Sequence, residues 1–521
     1  MTLDPAIRRQ SLSAMLRRSA VRHRDRTAII CGPVKWSYAE LDGIVDTVSH
    51  GLQVHGIRPG DRVAILARNS HAFVAVRFAL ARMGAVMVPV NFMLNSDEVR
   101  YILQNSGACA LFVDASTADL GCTSAAALID AVYGLPGEAS EVPVDLRITP
   151  WDVLLQSKSS VTEVAESTSL LQIIYTIGTE SRPKGAMLTH DAVLWEYQSC
   201  VIDCEWTAGD IALHAMPLFH CAQLDCMLGP ALQVGSVNVI PSTPTPENLI
   251  PLLSQHRITS FFAPPTIWIS LLRSPLIDKH DLSTLCKGYY GASIMPVEVL
   301  REIQARFIDL RLWNLYGQTE IAPVAAVLFP DEQLAKAGSA GRATLHVETR
   351  VVNDALEDVV EGEIGEIVHR SPQLMLGYWG NEEATAAAFA DGWFHSGDLA
   401  TIDSDGFITV VDRKKDMIKT GGENVSSREV EEAIYQHPSV SEVAVIGLPD
   451  PHWIEAVTAV IVLKNGEAVE PSQIVAHCKG LLASFKVPKR IGFVEHLPKN
   501  ASGKILKRDL RLLETEAYAA C

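Results

Sequence analysis

Residues 170–200 read LLQIIYTIGTESRPKGAMLTHDAVLWEYQSC, and this stretch decides the fold. Its first part, LLQIIYT, is a short apolar run typical of a buried strand, and HDAVLWEYQSC predicts a helix. The connecting loop offers glycines, hydroxyl groups and Lys184, so its backbone amides could surround phosphate oxygens. The loop departs from the GxxxxGK(S/T) order because Pro183 and Lys184 precede Gly185. On these residues alone, a phosphate-binding loop and an ordinary surface loop are equally supported.

The length and charge of the chain limit its number of domains and the partners it can bind. A chain of 521 residues exceeds what one hydrophobic core usually serves, so we expect two or more domains. Helical and strand patterns alternate, which predicts an α/β fold. With 61 acidic against 44 basic side chains the net charge is −17, which disfavours nucleic acid as the main partner.

The apolar stretch HAFVAVRFALARMGAVMVPV (71–90) is interrupted by Arg77 and Arg82, so we do not expect an integral membrane protein. Ten cysteines show no CxxC pair, which favours reduced thiols and a cytoplasmic location. Cys200 and Cys204 would share one helix face. Because no histidine lies near them in the sequence, core packing is favoured there over a metal site.

The character of the sequence changes near residue 400. A turn, a strand and a charged joint are followed by a Gly-Gly loop and by a helix capped by Ser426 or Ser427. We therefore predict a large N-terminal domain over residues 1–411, built of layered α/β subdomains. A hinge at 412–415 and a small mobile α+β domain at 416–521 complete the predicted organisation.

Seven motifs resemble those of the adenylate-forming (ANL) superfamily, which includes acyl-CoA synthetases, luciferases and peptide-synthetase adenylation domains. The opening loop resembles that family's (Y/F)TSGTTGxPKG, and NLYGQTE with DRKKDMIKTGGENV most resembles bacterial fatty-acyl-CoA synthetases. The further motifs follow in the family's order: MPLFH (216–220), YYGASIMP (289–296), NLYGQTE (314–320), GWFHSGDL (392–399), DRKKDMIKTGGENVSSREVE (412–431) and PKNASGKILKRDLR (498–511).

The resemblance implies a two-step ligase. A carboxylate attacks the α-phosphate of ATP to give an acyl adenylate and pyrophosphate, and the thiol of CoA then displaces AMP. ATP, Mg2+ and CoA are implied, with carrier-protein phosphopantetheine as another acceptor and a homodimer as a further expectation. The implied acyl pocket is lined by apolar residues of 219–229, 263–268, 289–293 and 314–325, which indicates a hydrophobic carboxylic acid.

The resemblance also implies roles in adenylation. Lys504 would bridge the carboxylate and the phosphate, while Glu320 and Thr179 would act in catalysis and hold Mg2+. Asp398 would accept the ribose hydroxyls, with Arg413 as a second ribose contact. The implied nucleotide-binding residues are Thr176, Gly178, Thr179, Lys184, Gly291, Ala292, Ser293, Tyr316, Gly317, Thr319, Asp398, Arg413 and Lys504.

For thioester formation, the family's small domain turns about a hinge, implied here at Lys415, and His220 resembles the catalytic gate that opens the thiol tunnel. The loop KTGGEN (419–424) would line that tunnel, because its two glycines leave room for the pantetheine arm. The implied loop residues are Lys419, Gly421, Gly422 and Asn424, with Lys419 and Asn424 on the side that faces adenylation.

The chain departs from the family at several positions. In the opening loop, Ile177, Glu180 and Ser181 stand where the family has Ser, Thr and Gly, so one hydroxyl donor is lost and a carboxylate is added near the phosphates. In the small domain, Ile454-Glu455 stands where the family often has Gly-Glu, a change that we expect to lie away from the chemistry. Three hypotheses follow: a complete ligase, an enzyme that only transfers a preformed acyl adenylate to CoA, and a non-catalytic acyl- or nucleotide-binding homologue.

Overall fold

The computed structural model describes residues 7, 9–139, 141, 147–156, 163, 165–176, 182–291, 293, 295–413, 416–420, 423–464, 466–499, 505–512 and 519–520. Within these ranges, no helix combines the length and the apolar character that crossing a membrane requires. The described strands form four sheets, and helices cover them, so the predicted α/β class is confirmed.

The strands are β1 (Thr27–Cys31), β2 (Val34–Ser37), β3 (Arg62–Leu66), β4 (Val86–Pro89), β5 (Ala110–Val113), β6 (Ala131–Gly134), β7 (Leu170–Thr176), β8 (Lys184–Thr189), β9 (Ile211–Leu213), β10 (Val237–Val239), β11 (Ser260–Phe262), β12 (Lys287–Gly291), β13 (Arg311–Gly317), β14 (Val324–Leu328), β15 (Arg342–Ala343), β16 (Glu348–Val352), β17 (Gly365–Arg370), β18 (Phe394–Ile402), β19 (Ile408–Arg413), β20 (Ile418–Thr420), β21 (Glu423–Val425), β22 (Val440–Asp450), β23 (Ile454–Leu463), β24 (Arg490–Phe493) and β25 (Ala519–Ala520).

The α-helices are α1 (Leu12–Arg22), α2 (Tyr38–Val54), α3 (His71–Met83), α4 (Ser96–Ser106), α5 (Ala118–Ala125), α6 (Trp151–Leu154), α7 (His190–Asp203), α8 (Gly229–Val234), α9 (Pro246–Gln255), α10 (Pro265–Arg273), α11 (Val297–Arg306), α12 (Glu382–Ala388), α13 (Ser427–Tyr435), α14 (Pro471–Lys479) and α15 (Lys507–Leu512). A π-helix spans Ala222–Leu228, and 3-10 helices span Thr319–Ile321, Pro330–Glu332 and Ala390–Gly392.

The opening stretch forms the edge of a six-stranded sheet with the order β6-β5-β3-β4-β7-β8. The predicted strand is β7, and the predicted helix is α7, whose first turn is capped by the side chain of Thr189. Between them lies β8, which the sequence pattern did not predict. It pairs antiparallel with β7 so that Thr176 lies opposite Lys184. The two strands that flank the candidate phosphate loop are therefore paired with each other.

Helix α3 is buried along its whole length, including both arginines that interrupt its apolar sequence. A fully buried cation is tolerated only when it is paired. Arg77 is paired with Asp225 of the π-helix and also donates to Gln172 of β7 at 2.6 Å. Arg82 is paired with Asp42 of α2. The two arginines therefore tie α3 to its neighbours.

The carboxyl ends of β12 and β13 carry two of the motif segments and lie side by side in a nine-stranded sheet. The two strands are parallel, with Gly291 opposite Leu315. A Cβ at Gly291 would lie 2.4 Å from the Leu315 carbonyl oxygen, and one at Gly317 would lie 1.8 Å from that of Pro323. Glycine is therefore required at both positions by the close approach of the backbone.

The C-terminal part of the chain adds a four-stranded antiparallel sheet, β16-β17-β18-β19, and a separate sheet built from β20 to β25. Strand β19 continues through Arg413, so the first two residues of the predicted hinge lie in a strand, while Lys415 lies outside the described residues. The side chain of Ser426 caps α13, whereas Ser427 donates to Asp412 at 2.8 Å. The large N-terminal and smaller C-terminal parts match the predicted fold class, and the residue boundaries 411 and 416 stay a prediction.

Candidate active site

Asp398 is the centre of the first cluster of predicted site residues. It lies on β18 directly opposite Arg413 of β19, whose Nε is 3.2 Å from Asp398 Oδ1. Tyr316, near the end of β13, donates its hydroxyl to Asp398 Oδ2 at 2.7 Å, and Gln318 donates Nε2 to the same oxygen at 2.9 Å. The structure therefore brings together Asp398, Arg413 and Tyr316 as predicted, and it adds Gln318.

The hydrogen bonds of Asp398 determine what it can still bind. Burial and the adjacent Asp398 carboxylate raise the pKa of Tyr316 well above its usual value, so the phenol remains a donor. A carboxylate offers about four acceptor positions, and Tyr316, Gln318 and Arg413 occupy three of them. One acceptor position on Oδ1 therefore remains for a hydroxyl.

Glu320 belongs to a second cluster, on the 3-10 helix that follows Gly317. Its Oε1 accepts a hydrogen bond of 2.8 Å from Tyr378. Lys184 Nζ lies 5.1 Å from the centre of the Tyr378 ring. The backbone next to Tyr378 is fixed to β8, because Trp379 donates its amide to the Gly185 carbonyl at 2.8 Å. A predicted phosphate-binding lysine and a predicted magnesium-binding carboxylate are thus joined through Tyr378, which the sequence analysis missed.

Tyr378 also remains protonated. Burial, and then the neighbouring Glu320, raise the pKa of Tyr378 far above its usual value. Its hydroxyl is therefore a permanent donor that orients one oxygen of Glu320 and leaves the other available. Carboxylate oxygens are the ligands that Mg2+ prefers. Glu320 has the donor chemistry that a magnesium ion requires.

Thr319 connects these groups to the predicted gate. Its hydroxyl lies 3.3 Å from the Cys221 sulfur, next to His220. The Nδ1 atom of His220 accepts the amide hydrogen of Ala222 at 3.2 Å, which orients the ring. The π-helix begins at Ala222, and such helices are frequent at functional sites. The adenylate motif is therefore in contact with the residue that directly follows the gate segment.

The segment before the gate is held by polar side chains that the sequence analysis missed. Asn69 Nδ2 donates to the carbonyls of His214 and Met216, and its Oδ1 accepts the Leu218 amide at 2.8 Å. The Gln223 side-chain amide bonds to His214 Nδ1 at 2.8 Å. Burial lowers the pKa of His214 to about 4, so the ring is neutral at pH 7. These contacts fix the backbone that leads to His220.

Strands β20 and β21 carry the predicted thioesterification loop. Lys419 and Asn424 are exposed and lie opposite each other. The amide of Lys419 donates to Glu455 Oε2 at 2.7 Å, so Glu455 supports this hairpin. Among the described residues, no hydrogen bond or ion pair joins Lys419 or Asn424 to Asp398 or Glu320. The described residues of this hairpin are therefore not connected to the two clusters by hydrogen bonds or ion pairs.

Some predicted residues are described but contribute less, and others fall outside the description. Thr176 donates its hydroxyl to the Lys184 carbonyl at 3.4 Å, at the mouth of the hairpin, and Ser293 is exposed beyond β12. The following predicted residues lie outside the described ranges: Ile177, Gly178, Thr179, Glu180, Ser181, Ala292, Lys415, Gly421, Gly422 and Lys504.

Two family models match the chain: AMP-binding enzyme over residues 16–379, and AMP-binding enzyme C-terminal domain over residues 429–504. Feruloyl-CoA synthase of Amycolatopsis sp is 37% identical over 508 residues, with 97% of this chain and 99% of the relative covered. Indoleacetate–CoA ligase of Aromatoleum aromaticum is 34% identical over 509 residues, with 96% and 98% covered.

The fold is also similar to solved structures. ATP-bound MatB from Rhodopseudomonas palustris has a TM-score of 0.89 and 29% identity, with 96% of this chain and 98% of that chain covered. The anthranilate CoA ligase AuaEII in complex with anthranoyl-AMP also has a TM-score of 0.89, with 26% identity and 96% and 97% covered. The chain therefore belongs to the AMP-binding enzymes, the adenylate-forming superfamily that contains these acyl-CoA ligases.

Proposed function

We propose that the chain is an AMP-forming acyl-CoA ligase that converts a hydrophobic carboxylic acid to its CoA thioester through an acyl adenylate. The observation that carries the proposal is the convergence of two clusters, Asp398 with its three donors and Glu320 with Tyr378 and Lys184. Both clusters lie at the carboxyl end of β13, because Tyr316 is near the end of that strand and Glu320 lies on the 3-10 helix that follows it. Membership of the AMP-binding enzymes, and relatives named as CoA ligases, support the same reaction.

In the proposed mechanism, Asp398 accepts a hydroxyl of the ATP ribose and so fixes the nucleoside. Lys184 supplies positive charge toward the phosphates. Preorganised donors of this type stabilise the charge that develops as pyrophosphate leaves. Glu320, held by Tyr378, would bind Mg2+, which neutralises phosphate charge. Lys504 is assigned the bridge between carboxylate and phosphate on its motif alone.

In the second step, the proposal assigns His220 to the passage through which the thiol of CoA reaches the adenylate. The supporting observations are that His220 follows the segment that Asn69 holds, and that the next residue, Cys221, has its sulfur 3.3 Å from the Thr319 hydroxyl. The hairpin with Lys419 and Asn424 would then approach by rotation about Lys415. A carrier-protein phosphopantetheine presents the same thiol and is the second acceptor to test.

We propose aromatic acids as the first class to assay, because two relatives are named for feruloyl and indoleacetate substrates. Fatty acids form the comparison class, since another relative, FadD13 of Mycobacterium tuberculosis, is a long-chain fatty-acid–CoA ligase and is 34% identical over 489 residues. A cytoplasmic location and a homodimer belong to the same proposal. Light scattering of the purified chain tests the dimer.

The experiment measures acid-dependent ATP–pyrophosphate exchange and, separately, thioester formation from ATP and from synthetic acyl adenylates. The complete ligase predicts exchange with at least one acid and thioester from both sources. Thioester from the synthetic adenylates alone would favour the transfer-only hypothesis, which rests on Ile177, Glu180 and Ser181. The absence of product from either source with every acid would favour a binding protein.

A further inference from the structure

A cluster of thiols and one carboxylate lies behind the gate, outside the catalytic groups. Glu196 and Cys200 lie one turn apart on α7, and Cys204 follows at the C-cap of that helix. Cys226 reaches the same place from the π-helix, where its sulfur is 3.6 Å from that of Cys200. All four side chains are buried. The sequence shows two of these thiols as neighbours, and the fold adds the third thiol and the carboxylate.

The geometry of the cluster suits a tetrahedral metal ion. One ligand atom from each of Glu196, Cys200 and Cys226 lies within 4.8 Å of the other two. Zinc–sulfur bonds of about 2.3 Å at tetrahedral angles place two sulfurs about 3.8 Å apart, close to the observed 3.6 Å. A sulfur and a carboxylate oxygen would lie about 3.5 Å apart, and Cys200 Sγ lies 3.2 Å from Glu196 Oε1.

Glu196 is buried without a cationic partner among the described residues. Its Oε1 accepts the amide of Val324 at 3.1 Å, and its Oε2 accepts the side-chain amide of Gln373 at 2.6 Å. In the described part of the chain no Lys, Arg or His pairs with it. The nearby Asp225 already has Arg77 as its partner. A buried carboxyl without a cationic partner keeps its proton, and burial raises the pKa of Glu196 well above its usual value, so a metal ion that binds here would displace that proton.

The ligand atoms decide which metal the cluster would hold, because two of the three that lie close together are sulfurs. Thiolates select zinc and other thiophilic ions, whereas Mg2+ requires oxygen ligands. The magnesium proposed at Glu320 therefore does not compete for this cluster.

We propose that Glu196, Cys200 and Cys226 bind one zinc ion, which fastens α7 to the π-helix behind the gate. Three elements meet at this cluster: α7, the π-helix and β14. Glu196 also holds the amide of Val324, at the start of β14, just after the segment with Thr319 and Glu320. The ion has a structural role, because all three ligands are almost fully buried, which leaves a substrate no access to the ion.

The test uses the full-length chain without an affinity tag, purified from cells grown with added zinc and passed over a chelating resin. Metal analysis should find about one zinc per chain, and Cys200→Ser and Cys226→Ser should each lower it at least about tenfold. The matched control is Cys478→Ser, a buried cysteine of the C-terminal part, which should keep its zinc. Circular dichroism checks that each variant is folded.

A measurement on the unmodified chain keeps the proposal testable if the serine variants do not fold. Cells grown with cobalt should yield protein with the sulfur-to-cobalt charge-transfer band and the intense visible bands of a tetrahedral thiolate site. The proposal is overturned if the folded chain holds less than about one tenth of an equivalent of zinc, or if zinc is equally retained in folded Cys200→Ser and Cys226→Ser. A Cys200–Cys226 disulfide in the isolated protein would also overturn it.

Discussion

Replacing Asp398 by asparagine should weaken the use of ATP with little effect on the acid. Asp398 is only 4% exposed, so solvent does not replace its contacts. Asparagine keeps the shape but loses the charge, and a hydrogen bond to a charged group contributes about 1.5–3 kcal/mol. Loss of one such bond to the ribose lowers kcat/KM for ATP by roughly 10- to 160-fold. Steady-state pyrophosphate exchange at varied ATP measures this loss.

The matched control is Tyr316→Phe, which removes the donor at 2.7 Å and leaves the carboxylate in place. A neutral hydrogen bond contributes about 0.5–1.5 kcal/mol, so the expected loss is about 2- to 13-fold. In both variants KM for the acid should change less than kcat/KM for ATP. The reasoning is refuted if a folded Asp398→Asn enzyme keeps kcat/KM for ATP within about threefold of the parent.

Three further outcomes are expected. Glu320→Gln should raise the Mg2+ concentration for half-maximal exchange by about 100-fold and Tyr378→Phe by about tenfold, and equal Mg2+ curves would contradict the assignment. Ile454 has a φ of +70°, so Ile454→Gly should raise the free energy of unfolding in urea by about 0.5–1 kcal/mol, whereas Ile454→Ala, which keeps a Cβ, should not. The pKa of His214 is about 4 in the folded chain and near 6.5 in the unfolded chain. Lowering the pH from 7.5 to 5.5 should therefore reduce the free energy of unfolding by about 1 kcal/mol through this residue. His214→Gln should remove that part of the pH dependence in urea titrations at the two pH values, and an unchanged dependence would contradict the neutral ring.

The sequence predicted the elements that local patterns determine. Strand β7 and helix α7 begin and end close to the predicted residues, because apolar periodicity and the Thr189 cap are local signals. Strand β8 was missed because its pairing with β7 depends on a hairpin register, and its short sequence has no pattern of its own. The apolar stretch that Arg77 interrupts forms the buried helix α3. Its burial could not be predicted from the stretch itself, because the partner of Arg77 is Asp225, which is 148 residues away.

The candidate site likewise consists of residues that motifs predicted and of supporting residues that they did not. Motifs predicted Asp398, Arg413, Tyr316 and Glu320. In the structure, Asp398 contacts Arg413 and Tyr316, and Glu320 contacts Tyr378. Their supporting groups could not be predicted, because the contacts cross the chain: Tyr378 reaches Glu320 over 58 residues. Gln318 was inside a quoted motif, but nothing local indicated that its amide turns to Asp398, which is 80 residues away.

Glu455 corrects the interpretation of a departure from the family. The change to Ile454-Glu455 was interpreted as remote from the chemistry. The structure shows Glu455 accepting the amide of Lys419, on the hairpin predicted to line the thiol tunnel. It also shows that Ile454 occupies a left-handed backbone conformation, in which glycine is favoured. A residue that departs from the family's glycine therefore stores strain beside a predicted functional loop.

The most direct test of the central claim is a single reaction that contains the purified chain, ATP, Mg2+, CoA and one acid, with the aromatic acids tested first. AMP, pyrophosphate and acyl-CoA are quantified together by liquid chromatography. A complete acyl-CoA ligase predicts that the three products appear in equal amounts, only when the acid is present, and that Asp398→Asn reduces all three in parallel. The account is contradicted if no acid gives acyl-CoA from ATP while a synthetic acyl adenylate does, because the chain would then lack the adenylation step.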